Sequence, residues 1–318
     1  MNRRTFFSST AAAGAAWLAT TAVYAETASQ AANATDYFDI HLHLTQPWYG
    51  APQSALTAED LLHWMDAHDI AQAAVLPLVS PEAFWYPVST DYVLRETRPH
   101  RDRLTPFCCI DPRTLATHLP TTKDVVDVLR RYQDAGARGF GEHKPMLAID
   151  DPLCMRLYEA CGEAKLPLLF HLDNQANMDR PGLPGLAKAL AAFPDLVFIG
   201  HGKGWWASIA GGVTQADLHV GYPRGAVAPG GAIDQLMDKF PNLYGDLSSS
   251  GAHAVLRDQE FGQQFLQRRA DRLLFGTDYY DPAQTEFLQF ELFDRIELPE
   301  MAAAAIARDN ARRLLQMG

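Results

Sequence analysis

Eight short runs rich in Val, Ile, Leu and Phe recur along this chain with helix-like segments between most of them, and that alternation restricts the fold more than any other feature. The runs fall at residues 37–44, 72–78, 104–110, 138–143, 167–172, 196–201, 242–247 and 272–277. Runs this short and apolar suit strands buried on both faces. The segments between them read as helices at 57–68, 122–134, 153–164, 183–193, 232–240 and 258–269, with a last one at 299–315. Thr57 with Asp60 three residues on is a relative of the capping box, and Asp151-Pro152 sets an acidic cap and a first-turn proline before Leu153. Strands that alternate with helices pair in parallel, and eight such units close a (β/α)8 TIM barrel of the α/β class. An open doubly wound sheet is the other arrangement of these elements, but no glycine-rich dinucleotide or phosphate loop follows the first run.

A segment of different character precedes the barrel. Arg3-Arg4-Thr5-Phe6-Phe7 leads into an Ala/Thr-rich apolar stretch, and Val23-Tyr24-Ala25 offers a small-residue cleavage pattern before Glu26. Residues 1–25 therefore read as a secretory signal, and the paired arginines with a weakly apolar core make it the twin-arginine type, which exports folded proteins. The mature chain is expected in the periplasm or secreted, with residues 26–35 as a flexible lead-in and 36–318 as one barrel domain. No other stretch is long and apolar enough to span a bilayer. The net charge of −11 becomes −13 once Arg3 and Arg4 leave, which opposes nucleic acid and anionic membranes and favours a small-molecule partner. Cys154 and Cys161 lie seven apart on an expected helix, about 10 Å along its axis and too far to bridge. With Cys108 and Cys109, they read as core thiols.

In such a barrel, chemistry belongs at the C-terminal ends of the strands. Asp39-Ile40-His41-Leu42-His43 closes the first run, and side chains at i and i+2 of a strand point the same way, so His41 and His43 can stand side by side. Two such imidazoles make half of a first-row divalent metal site, for which Zn²⁺ is the usual occupant of nitrogen-rich sets. Glu142, His143 and Lys144 close the fourth run, His171 the fifth and His201 the sixth, while Asp278 follows the eighth. Glu142 and Lys144 share a strand face and His143 takes the other. Each residue alone has a plainer reading, a hydrogen-bonded loop histidine or an Asp helix cap, but one coincidence does not explain five strand ends. Asp246, at the end of the seventh run, reads either as a carboxylate supporting the site or as a loop cap.

On Asp39-x-His41-x-His43, His171, His201 and Gly276-Thr277-Asp278, nearly the whole mature chain resembles the amidohydrolase superfamily of metal-dependent barrel enzymes. It resembles in particular the amidohydrolase-related branch that also contains aromatic-acid decarboxylases. It implies a divalent metal held by His41, His43, His171 and Asp278, with His201 near the reacting group. One ion is the preferred reading; with Glu142 as a bridge and His201 as a ligand there would be two, and otherwise Glu142 orients a ligand imidazole. The implied reaction is hydrolysis of an amide, ester or lactone by metal-bound hydroxide. Asp278 would carry the proton, and His201 would polarise the carbonyl or stabilise the oxyanion. The alternative on the same site is non-oxidative decarboxylation of an aromatic or unsaturated acid. A solute-binding protein, the remaining rival, gives no reason for His and Asp at successive strand ends.

The connection after His201 carries Lys203, Trp205, Trp206 and Arg224. The tryptophans could stack on a substrate ring, with Lys203 or Arg224 meeting a carboxylate, or they could simply pack the loop onto the barrel. Trp48 and Tyr49, just past the first metal motif, stand in the same position.

Overall fold

Eight parallel strands follow one another around a single sheet in chain order: β1 (Tyr37–Leu42), β2 (Ile70–Val75), β3 (Leu104–Cys108), β4 (Gly139–His143), β5 (Leu168–His171), β6 (Phe198–His201), β7 (Leu243–Asp246) and β8 (Leu273–Leu274). They are seen in a computed structural model that describes residues 36–46, 55–84, 86–220 and 224–317. The expected signal, the lead-in, Trp48 and Tyr49 lie outside the described residues. Helices separate the strands, as the parallel pairing requires. Among the described residues no helix is long and apolar enough to cross a membrane.

β8 is shorter than the run at 272–277 because its far end leaves the ladder for two other partners. Phe275 N–H donates to the Ile306 carbonyl at 2.9 Å, while its carbonyl accepts from Ile40 N–H at 2.9 Å. Asp278 N–H then donates to the His41 carbonyl at 2.9 Å and His43 N–H to the Tyr279 carbonyl at 3.0 Å, so β1 and the chain after β8 complete the ring. The same demand interrupts the last helix. Instead of one span at 299–315 there are helical pieces at Glu300–Ala304 and Asn310–Leu314, joined by a wide π turn at Ala305–Asp309 that contains Ile306.

Phe38, Ile40, Leu76, Phe107, Leu169, Ile199 and Leu274 gather into one buried cluster. Side chains from six strands and their immediate ends can meet in this way only inside the ring. A larger layer packs between the sheet and the helices. The expected caps form: Thr57 makes a reciprocal capping box with Asp60 ahead of Ala58–Ala67, and Asp151 caps Pro152–Ala164. All four cysteines are free and buried in that outer layer. Burial pushes their thiols up, which keeps them protonated and inert.

Candidate metal centre

β1 brings two imidazoles to one point. His41 Nδ1 lies 2.7 Å from Asp246 Oδ2, and His43 Nδ1 lies 2.9 Å from the Leu76 carbonyl oxygen. An ionised carboxylate and a carbonyl only accept hydrogen bonds, so each Nδ1 carries the proton and each Nε2 presents a lone pair. Those two Nε2 atoms are 3.0 Å apart. Lone pairs facing each other at that distance repel unless positive charge lies between them.

Glu142 and Asp278 complete the set. Glu142 Oε2 stands 3.5 Å from His43 Nε2 and 3.8 Å from His41 Nε2, and Asp278 Oδ1 stands 3.5 and 3.7 Å from the same atoms. These separations exceed hydrogen-bond range, and Glu142 Oε2 is buried with no partner. Four donors about 2.1 Å from one tetrahedral ion would be roughly 3.4 Å from each other. The donor set of His41, His43, Glu142 and Asp278 therefore fits a divalent cation.

The other oxygens of the same two carboxylates face His201. Glu142 Oε1 and Asp278 Oδ2 are each 3.7 Å from His201 Nε2, which is likewise buried and unpartnered. Ser248 Oγ donates to Asp246 Oδ2 at 2.7 Å, so towards His201 Nδ1, 2.8 Å away, it acts as an acceptor. Asp246 Oδ2 accepts from the same Nδ1 at 3.1 Å. His201 is thus protonated on Nδ1 and turns a lone pair to the pocket. A neutral ring so held accepts a hydrogen bond towards the pocket and does not donate one.

His171 reaches the site by a different contact from the one expected. Its Nδ1 is 2.8 Å from Glu142 Oε1 and its Nε2 is 3.2 Å from Asp173 Oδ2, so it supports Glu142 instead of facing the His41–His43 pair. Glu142 contacts the His171 imidazole with one oxygen and faces the donor set with the other. His143 is buried away from the site, its ring edge-on to Tyr158 at 5.6 Å, as the alternation of strand faces requires.

Burial alone would neutralise these carboxylates, but their neighbours oppose it. Lys144, its Nζ 3.2 Å from Glu142 Oε1, holds the Glu142 carboxyl well below the usual range together with His171. His41 and His43 likewise lower the Asp278 carboxyl. In turn, and against its own burial, Asp278 and Asp246 push His41 well above the ordinary histidine value. The same carboxylates would attract a metal cation. The carboxylates of Glu142, Asp246 and Asp278 outnumber the ammonium of Lys144 that pairs with Glu142, so the donors are net acidic.

The scaffold fixes these positions closely. Asp39 accepts from His41 N–H at 2.9 Å, Thr277 N–H at 3.1 Å and Thr277 Oγ1 at 2.6 Å, tying β1 to the segment that carries Asp278, while burial pushes its own pKa to about 7. Gly202 has φ +99°, and a Cβ there would sit 2.9 Å from the Leu172 carbonyl and 3.1 Å from the His171 ring. Only glycine lets the chain leave β6 so close to that imidazole.

A cavity of about 470 Å³ opens over the donors, lined by His43, His171 and Asp278 and by Lys144, Lys203, Asp173, Ser249, Phe84 and Tyr280 among others. Lys203 reaches it as expected. Trp205 and Trp206 do not: both are fully buried, Trp205 edge-on to Phe170 at 5.7 Å and Trp206 donating Nε1–H to the Asp246 carbonyl at 2.8 Å. They pack the connection onto the barrel. Arg224 is exposed and lines a different cavity. Asp173 and Ser248 belong to the site without having been singled out. Each lies two residues past a residue that was, so the i, i+2 rule could have found both, whereas nothing local marks Phe84.

Comparison with known proteins supports this architecture. The model of the amidohydrolase family matches residues 38–317. Among solved structures, an uncharacterised TIM-barrel protein from Bordetella bronchiseptica aligns with TM-score 0.59 at 20% identity, over 88% of this chain and 98% of that one. A probable 2-pyrone-4,6-dicarboxylic acid hydrolase from Acinetobacter baumannii, with citric acid bound, aligns with TM-score 0.56 at 13% identity, over 89% and 100%. A dihydroxybenzoic acid decarboxylase from Polaromonas, with bound manganese and the inhibitor 2-nitroresorcinol, aligns with TM-score 0.53 at 14% identity, over 88% and 97%. Comparison with curated proteins gives no match.

Proposed function

The chain belongs to the amidohydrolase family, and on that premise we propose that it is a metal-dependent enzyme that hydrolyses an amide, ester or lactone bond of a small molecule. One observation carries the reading: the lone pairs of His41 and His43 and the oxygens of Glu142 and Asp278 converge beneath an open cavity. The four donors gather round one point, which favours one ion. We assign zinc for its affinity for imidazole and carboxylate together, with manganese, as in the Polaromonas decarboxylase, as the competitor.

A divalent ion held by His41, His43, Glu142 and Asp278 supplies Lewis acidity, lowering the pKa of water and polarising a carbonyl. Asp278, whose side chain is 17% exposed, takes the proton of the attacking water as its oxygen bonds to the carbonyl carbon. It then returns that proton to the departing nitrogen or oxygen. His201 Nε2 accepts a hydrogen bond that orients the water or the substrate. Lys144 and Lys203 donate to negative oxygens of the substrate.

Those two ammonium groups also favour a second reading, decarboxylation. They would hold a carboxylate in the cavity while Asp278 protonates the carbon that loses CO₂. Turnover in ¹⁸O-labelled water separates the two, because hydrolysis places the label in the organic product, whereas decarboxylation leaves the organic product unlabelled and releases CO₂. Elemental analysis of protein purified without chelator is expected to find about one equivalent of zinc, lost in the His41→Ala/His43→Ala double variant. A wild-type protein that neither contains nor takes up a divalent metal would overturn the proposal.

Export by residues 1–25 is a separate part of the reading. Replacing Arg3 and Arg4 by Lys should hold the precursor in the cytoplasm, and the exported wild-type chain should begin at Glu26 by mass spectrometry. An exported chain that retains residues 1–25 would count against a cleaved signal.

A further inference from the structure

The two carboxylates of the donor set are held in different ways. Glu142 Oε1 lies 2.8 Å from His171 Nδ1 and 3.2 Å from Lys144 Nζ, so its side chain has partners of its own. Asp278 has none of that kind among the described residues: the nitrogens around its carboxylate, His43 Nε2 at 3.5 Å and His41 and His201 Nε2 at 3.7 Å, all present lone pairs. Its aim is therefore left to the backbone. That backbone has φ +60°, a left-handed conformation that costs an L residue energy and persists where neighbours over-determine it.

The side-chain amide of Gln284, a residue on the wall of the same cavity, supplies the fixing contacts. Its Nε2 donates to the Asp278 carbonyl at 3.1 Å, while its Oε1 accepts from Tyr280 N–H at 2.8 Å and from Asp281 N–H at 2.9 Å. Turned over, the amide would set donors against donors and an oxygen against a carbonyl, so only this orientation fits. Asp278 N–H meanwhile donates to the His41 carbonyl at 2.9 Å. The peptides before and after Asp278 are then both pinned, which fixes its φ and ψ and with them the direction of its Cα–Cβ bond. Ser249, the other described lining residue with a positive φ, +49°, has its carbonyl taken in the same manner by Gln289 Nε2 at 2.9 Å.

We propose that Gln284 is a positioning residue of the active site: it stands outside the donor set and aims the Asp278 carboxylate by locking the peptide that follows it. The inference rests on the reading of Asp278 as a metal donor. Without the Gln284 link, ψ of Asp278 is free to relax, and its Oδ1 and Oδ2 lose their joint aim at the His41–His43 pair and at His201.

Zinc affinity of the intact protein, read by competition with a chromophoric chelator, tests this without a substrate. Gln284→Met removes the three hydrogen bonds at nearly constant size and should bind zinc about tenfold more weakly than wild type. Asp281→Ala is the control for a merely structural role. It removes a different bond of the same turn, from Ala283 N–H to Asp281 Oδ1 at 2.9 Å, and should bind zinc as wild type does. Metal-free, both variants should melt within a few degrees of wild type, so that the loss of affinity is not a loss of fold. Wild type that takes up no zinc would remove the metal centre itself, and this inference with it. Where wild type binds zinc, three results would each overturn this inference alone: wild-type affinity in Gln284→Met, an equal loss in Asp281→Ala, or a metal-free Gln284→Met that melts far below wild type.

Discussion

Asp246 stands outside the donor set yet fixes the orientation of two of the imidazoles around it. Its Oδ2 accepts from His41 Nδ1, from His201 Nδ1 and from Ser248 Oγ, so one oxygen sets the tautomer of imidazoles from two strands. Asp246→Asn puts an amide N–H or a weaker acceptor in that place and should lower metal affinity by about 10- to 100-fold, read by competition with a chromophoric chelator. Asp278→Asn should leave the melting temperature within a few degrees of wild type and lower turnover by about 100-fold or more; near-normal turnover would sink its role in moving the proton. His41 and His43 are legible in the sequence because strand periodicity alone brings them together. The role of Asp246 is not, since an Asp after a strand caps a loop equally well. Nor is the lone pair of His201, which depends on Ser248 and Asp246, both remote from it in the chain.

At the scale of elements, the connection after β6 is where reading by residue type goes astray. A Trp-Trp pair beside a catalytic strand looks like a stacking platform, yet Trp205 and Trp206 are fully buried. Trp205→Ala should therefore act on stability, costing about 3–5 kcal/mol. That corresponds to a fall in melting temperature of roughly 10 °C, and the KM of the protein that remains folded should barely move. Gly202→Ala should do the reverse in proportion. Its Cβ meets the Leu172 carbonyl and the His171 ring, so displacement of His171 should depress activity beyond a stability loss of about 1–3 kcal/mol, measured as turnover against folded fraction. The elements the sequence does reveal, the apolar strands and the helices capped by Thr57 and Asp151, are specified by neighbours a few residues away. The short β8 and the π turn at Ala305–Asp309 are specified by each other across the chain, through Phe275 and Ile306, and no local pattern reports that.

For the molecule as a whole, the metal is expected to be a stabilising ligand. The charges it would balance sit on β1, β4, β7 and the chain after β8, so binding favours only the complete fold. Free ion at a hundred times its dissociation constant would add about 2.7 kcal/mol. Chelation should accordingly lower the melting temperature by about 5–10 °C, with recovery on adding back zinc. No change on chelation, in protein shown to have held metal, would place the ion outside the donor set described above. The ring itself is legible from eight alternating units, because the count and the parallel pairing admit few alternatives.

Asp278 N–H donates to the His41 carbonyl, and Thr277 reaches Asp39, a residue 238 positions earlier. The join between the two ends of the barrel and the ion's coordination shell are thus made by the same few residues. A ribosome that has delivered seven strands has made a nearly complete wall carrying His41, His43 and Glu142, but the donor set still lacks Asp278. The four-residue donor set is therefore whole only when the first and last strands have met.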